Sequence, residues 1–78
     1  MKAIIVGIKE VKGTNKQGRP YAGSEVHFSY ERSNVSGRAV DRKYISDNVM
    51  RNCDPFRPGD EVDIYFNQYG GVDVIKAV

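Results

Sequence analysis

The sequence predicts a small all-β protein. Several segments of the 78-residue chain alternate apolar and polar residues with the two-residue period of a β-strand. Val, Ile and Tyr, which favour strands, concentrate in these segments, and Gly, Pro and Asn cluster between them. A chain of this length has room for one hydrophobic core, so we predict a single domain over residues 1–78.

The first predicted strand covers Ala3–Val11 and is irregular. Its apolar alternation changes parity at Val11, and Gly7 lies in the middle of the strand. Both features are typical of a β-bulge, or of a strand that bends at the corner of a small barrel. The residues Lys12–Pro20 (KGTNKQGRP) follow as a loop without a large apolar side chain.

The second predicted strand covers Tyr21–Arg32 and alternates clearly. Val26, Phe28 and Tyr30 share one face, which we predict to point inward, and polar residues occupy the other face. The first two strands are therefore expected to form a long antiparallel hairpin with a basic tip.

A third strand and a short helix are predicted next. Residues Arg38–Ile45 form the strand, although neither of its faces is purely apolar. Ser46 or Asp47 then provides an N-cap for a short helix that continues to about Cys53. The Asp-Pro pair that follows ends this helix.

The last part of the chain predicts a second hairpin. Residues Glu61–Phe66 form the fourth strand, with Val62, Ile64 and Phe66 on its inward face. A compact Tyr-Gly-Gly turn leads to the fifth strand, Val72–Val78.

Three strands, a short helix and a two-stranded hairpin are the element order of an OB-like barrel. Barrels of this type have five strands and commonly bind oligonucleotides on their strand faces and loops. Closure into a barrel would also hide the edges of so small a sheet. An SH3-like barrel, which also has five short strands and often a helical turn, is the alternative.

Charge is distributed unevenly along a chain whose net charge is only +2. Residues 1–22 carry five cationic side chains and one acid, whereas residues 58–78 carry four acids and one lysine. Such a division is compatible with a basic face that binds a polyanion and an acidic remainder.

Several function classes are disfavoured by the composition. A single cysteine, Cys53, excludes an internal disulfide, and with a single histidine, His27, it leaves no Cys/His zinc site. General acid–base catalysis needs a cleft and a second positioned group, and a barrel filled by its own core has little cavity to spare, so we predict no enzyme. No EF-hand spacing or HExxH motif is present, and we predict no metal and no cofactor. No apolar run is long enough for a membrane span and no signal peptide is evident, so we expect a cytoplasmic protein with no membrane partner.

The loop at the tip of the first hairpin is the first candidate for function. It contains Lys12, Lys16 and Arg19 and no acid. Mobile cations suit the phosphates of a nucleic acid, and the glycines of the loop permit a close approach to a backbone.

Aromatic rings near cations are the second candidate. Tyr21 follows the basic loop directly, and Tyr44 shares its strand parity with Arg38 and Arg42. Unpaired bases stack on such rings, and guanidinium groups can add cation–π contacts. Tyrosine is also a good strand residue with one wet edge, so a purely structural role stays open.

The chain resembles the small single-stranded-DNA-binding proteins of phages and mobile elements, among them the gene V type of filamentous phages. The residues that carry this resemblance are Lys16, Gly18, Arg19, Pro20 and Tyr21, together with the closing segment PGDEVDIYFNQYGGVDVI. The resemblance implies an OB-like fold and a role in DNA replication. It also implies homodimers or cooperative arrays on the nucleic acid.

The resemblance further implies which residues contact DNA. Lys16, Arg19 and Tyr21 would contact backbone and bases, and Arg38, Arg42 and Tyr44 would line the groove. The resemblance, taken together with the composition and the basic loop, leads us to predict non-enzymatic, sequence-tolerant binding of single-stranded DNA, or of RNA. The predicted binding residues are Lys12, Lys16, Arg19, Tyr21, Arg38, Arg42 and Tyr44.

A protein-interaction or structural module on an SH3-like barrel is the alternative function. In that case the exposed tyrosines and the acidic second hairpin would bind a basic or proline-rich partner. Exposed rings beside Arg and Lys would favour nucleic acid, and rings beside the acids of Asp60–Asp63 would favour a protein.

Overall fold

A computed structural model describes residues 1–78 as five β-strands and one short helix. All strand pairs are antiparallel. The elements are β1 (Lys2–Thr14), β2 (Pro20–Tyr30), β3 (Ala39–Ser46), α1 (Asp47–Met50), β4 (Glu61–Phe66) and β5 (Val72–Ala77). The all-β class and the short helix between the third and fourth strands are as the sequence predicts.

The sheet has the order β3-β2-β1-β4-β5, with β1 in the middle. β1 and β2 form the long hairpin, which is paired from Ile4 and Ser29 at its base to Thr14 and Pro20 near its tip. The register shifts between Ile5 and Gly7, which confirms the predicted bulge. The hairpin contributes to an elongated molecule of 43 × 24 × 24 Å.

The fold is barrel-like, but the sheet is not closed by hydrogen bonds between β3 and β5. The segment after α1 bonds to β5 instead. The amide of Asp54 donates to the Ile75 carbonyl at 2.9 Å, and the Asp54 carboxylate accepts from the Ala77 amide at 2.8 Å. The free edge of β5 is thus covered by a loop, which is one of the ways in which proteins protect a sheet edge. A partly open barrel of five strands agrees with the OB-like architecture.

One hydrophobic core lies on the inner face of the sheet. Val26 and Phe28 are buried there as predicted, and Tyr30 is half-buried with its ring centroid 6.0 Å from that of Phe28. The buried apolar residues are Ala3, Ile5, Val26, Phe28, Ile45, Val62, Ile64, Val72 and Ile75.

The prediction that Phe66 points inward is wrong. Its side chain is 37% exposed, whereas Val62 and Ile64 on the same strand are buried. The pairing of β4 with β5 is irregular between Tyr65 and Phe66, so alternation does not continue to the end of the strand.

The helix begins where the sequence places it and is shorter than predicted. Ser46 is the N-cap, and its hydroxyl oxygen accepts a hydrogen bond from the Val49 amide at 3.4 Å. After Met50 the chain continues as a turn, in which the amide of Cys53 donates to the Met50 carbonyl. Val49, Met50 and Cys53 pack against the core, so α1 covers the opening between β3 and β5. No helix in the structure has the length and apolar character of a membrane span.

Candidate nucleic-acid interface

The tip of the first hairpin is an ordered turn rather than a long loop. β1 extends to Thr14 and β2 begins at Pro20, so only five of the nine predicted loop residues lie outside the strands. The Asn15 side-chain oxygen accepts hydrogen bonds from the amides of Gln17 at 3.0 Å and Arg19 at 2.9 Å. Gly18 has φ +78°, a conformation that suits glycine in three-residue hairpin loops. The turn therefore holds the exposed Lys16 and Arg19 side chains on a defined backbone.

The strand register places several of the predicted binding residues on one face of the sheet. Tyr21 is paired with Gly13, Tyr44 with Glu25 and Arg42 with His27, and directly paired residues share a face. This face is opposite to the core, and we call it the outer face. Its members on the first three strands include Lys9, Tyr21, Glu25, His27, Val40, Arg42 and Tyr44.

The two predicted rings lie next to each other on the outer face. The ring centroids of Tyr21 and Tyr44 are 6.4 Å apart, and the rings are nearly perpendicular at 84°. The rings are close to two strand glycines: a Cβ atom on Gly13 would lie 2.5 Å from the Tyr21 hydroxyl, and one on Gly23 would lie 2.6 Å from the Tyr44 hydroxyl. Glycine at these positions allows the rings to pack over the strands. Both tyrosines keep nearly half of their surface exposed and thus available for stacking.

On the first three strands, the outer face holds the acid Glu25 among three basic side chains. The Glu25 carboxylate lies 2.8 Å from His27 Nε2 and 3.9 Å from an Arg42 guanidinium nitrogen. Lys9 is its direct partner on β1. Because Arg42 is 71% exposed and its contact with Glu25 is long, that ion pair is weak. Arg42 can therefore exchange this contact for a phosphate.

An open apolar groove of about 500 Å³ continues the outer face beyond Arg42. Val6, the extra residue of the β1 bulge, and Val40 of β3 line it, and they are 59% and 73% exposed. Sequence reasoning did not select either valine, nor Lys9. The parity that Val40 shares with Arg42 and Tyr44 could have identified Val40, but the position of Val6 depends on the bulge.

Two of the predicted binding residues lie apart from this cluster. Lys12 is paired with Ala22, so its side chain projects to the face opposite Tyr21. Arg38 donates hydrogen bonds to the Ser29 hydroxyl and the Ser29 carbonyl, both at 3.0 Å, and thereby ties the start of β3 to the end of β2. A guanidinium has five N–H donors, so Arg38 retains donors for a ligand.

The remaining exposed rings lie on the second hairpin. Tyr65 is 49% exposed and Tyr69 is 86% exposed. Of the acids on this hairpin, Asp63 is paired in the sheet with Lys2 on one side and with Lys76 on the other.

No protein-family model, curated protein or solved structure matches this chain.

Proposed function

We propose that this protein binds single-stranded DNA, without enzymatic activity and with little dependence on sequence. The observation that carries the proposal is the grouping of Tyr21, Tyr44 and Arg42 on the outer face, next to a tip that presents Lys16 and Arg19. Exposed rings beside cations on a strand face are the combination that binds unpaired bases and their phosphates.

The dimensions of the outer face fit such a ligand. Arg19, directly before β2, and His27, the partner of Arg42 on β3, are eight residues apart, which corresponds to roughly 26 Å of extended chain. A single strand on this path would meet the cations of the tip, then the two tyrosines, then Arg42. OB-like domains commonly cover from about 4 to 16 nucleotides, so a path of this length is reasonable for one copy.

The resemblance to the gene V type of protein supports a more specific proposal. In this proposal the protein coats or protects single-stranded DNA during replication in the cytoplasm, for a phage or a mobile element. Copies would assemble as dimers or as a cooperative array on the strand. RNA has the same unpaired bases and phosphates and is the alternative ligand.

The surface chemistry favours nucleic acid over the alternative of a protein-interaction module. That alternative requires rings beside a strongly acidic surface. Lys2 and Lys76 flank Asp63, and the Asp60 carboxylate accepts a hydrogen bond from the Arg57 amide at 3.0 Å. Asp63 thus has a lysine on each neighbouring strand, so the surface around the rings of the second hairpin is not purely acidic.

The test is a titration of labelled oligo-dT with the purified protein at several salt concentrations. We expect binding at low salt that weakens as salt rises, with a slope of about −0.7 per phosphate contact in a plot of log affinity against log salt. The absence of binding at low salt, or affinity that is independent of salt, would overturn the proposal.

A further inference from the structure

A small notch lies beside the two tyrosines of the outer face. β3 pairs with β2 only from Gly23 onward, so the edge of Pro20–Ala22 has no strand beside it. The chain leaves β3 at Ser46 and turns into α1, which leaves an open space of about 320 Å³. This volume lies within the range of small-ligand sites.

Two walls of this notch have different chemistry. Tyr21 and Tyr44 provide an aromatic wall, and their perpendicular rings form a corner in which a planar group could contact a ring face. Ser46, Asp47 and Asn48 provide a polar wall. The notch is therefore suited to a flat ligand with a polar edge.

Asp47 supplies the free acceptor of the polar wall. The Ser46 hydroxyl oxygen already accepts from Val49, and the Asn48 side-chain oxygen accepts from Arg51 at 3.0 Å. The exposed Asp47 carboxylate takes part in no hydrogen bond or ion pair within the chain. An ionised carboxylate has two acceptor oxygens and no donor, so it selects ligands that donate.

We propose that this notch binds one base of the single strand and prefers guanine, with Asp47 as the residue that determines the preference. The proposal rests on the binding of single-stranded DNA proposed above. Guanine presents N1–H and the N2 amino group side by side on its Watson–Crick edge. This edge is free in a single strand, and its two donors match a carboxylate in the bidentate manner of a guanidinium.

The other bases fit this wall less well. Thymine has one N–H between two carbonyl oxygens, and these oxygens would be repelled by the Asp47 carboxylate. Adenine and cytosine each present one amino group beside a ring acceptor, so they can donate only one hydrogen bond. The notch therefore adds a preference at a single base to binding that is otherwise tolerant of sequence.

The experiment compares three short oligonucleotides by fluorescence anisotropy at one salt concentration: oligo-dT, oligo-dT with isolated guanines, and the same strand with hypoxanthine in place of guanine. We expect guanine to strengthen binding about tenfold over oligo-dT, in the range of a good bidentate contact. Hypoxanthine lacks the N2 amino group, so the strand that contains it should bind only about threefold more tightly than oligo-dT. Equal affinity for all three strands would overturn the guanine preference while leaving the proposed function intact.

The variant Asp47→Asn tests the role of the carboxylate. We expect it to remove the guanine preference, while its affinity for oligo-dT stays equal or rises because a negative charge is lost. Asp73→Asn, an exposed acid on β5, is the charge-matched control and should keep the tenfold preference. A preference that persists in Asp47→Asn would overturn the assignment to Asp47, and failure of the unmodified protein to bind any of the strands would overturn the proposed function instead.

Discussion

The two hairpins of this protein end in turns with the same hydrogen bonds and different side chains. In the first, the Asn15 side chain accepts from the amides two and four residues later, and Gly18 has φ +78°. In the second, Asn67 accepts from the amides of Tyr69 at 2.9 Å and Gly71 at 3.1 Å, and Gly70 has φ +83°. Both turns therefore use an asparagine to fix the backbone and a glycine to reverse it.

The two turns have the same backbone hydrogen bonds but differ in the side chains that they expose. The first turn carries Lys16 and Arg19 and leads to Tyr21 on the outer face, whereas the second carries Gln68 and Tyr69 and no charge. If the first turn binds nucleic acid and the second does not, the cause is the side chains, because the backbones of the two turns are matched. Each position of the first turn thus has a natural control in the second.

The largest effect is expected at the tip cations. Replacing Lys16 and Arg19 together with alanine should weaken oligo-dT binding about 25-fold at 0.1 M salt and reduce the salt slope by about 1.4, as expected for two phosphate contacts to a single strand. The measurement is the anisotropy titration over a series of salt concentrations. The double variant Gln68→Ala with Tyr69→Ala is the control and should bind as the unmodified protein does. Equal losses of oligo-dT affinity in the two double variants would show that the charges of Lys16 and Arg19 are not the cause of the weaker binding.

A smaller effect is expected at the aromatic rings. Tyr44→Leu should weaken oligo-dT binding about tenfold, since stacking contributes about 1–3 kcal/mol per base. Tyr65→Leu is a close control, because Tyr65 also lies in a strand and is 49% exposed, compared with 47% for Tyr44. Thermal unfolding should show that both variants remain folded. Unchanged affinity in Tyr44→Leu would leave Tyr44 with the structural role of covering Gly23.

The smallest effect on binding is expected at the asparagines. Asn15→Ala and Asn67→Ala should each lower the free energy of unfolding by about 1 kcal/mol, because each removes the acceptor of two exposed amide hydrogen bonds. Only Asn15→Ala should also weaken DNA binding, by about threefold, since it loosens the backbone that holds Lys16 and Arg19. Denaturant unfolding and anisotropy measure the two quantities separately. A similar loss of binding in Asn67→Ala would contradict the division between the hairpins.

Local patterns were sufficient to predict the long hairpin, its bulge near Gly7 and a helix cap at Ser46 or Asp47. Alternation, glycine placement and capping chemistry depend on neighbouring residues, which the sequence displays directly. The contact of Asp54 with the edge of β5 was not predictable in this way, because it joins residues more than twenty positions apart. For this reason the sequence suggested a closed sheet.

The candidate site was only partly predictable, because some of its residues are brought together by strand pairing rather than by nearness in the sequence. Parity within one strand correctly grouped Arg42 with Tyr44, and the register of the hairpin then added Tyr21. Lys12 was included because it belongs to the basic segment, but strand alternation directs it to the opposite face. Lys9 was missed because its place beside Glu25 depends on register, and the bulge alters the register of β1.

The most direct test of the account is the mapping of oligo-dT onto the ¹⁵N-labelled protein by NMR chemical-shift changes. We predict that the changes concentrate at the first turn and on the outer face of β2 and β3, including the amides of Arg19, Tyr21, Arg42 and Tyr44, while the turn at Asn67 is unaffected. Changes confined to the second hairpin, or scattered over both faces of the sheet, would contradict the account.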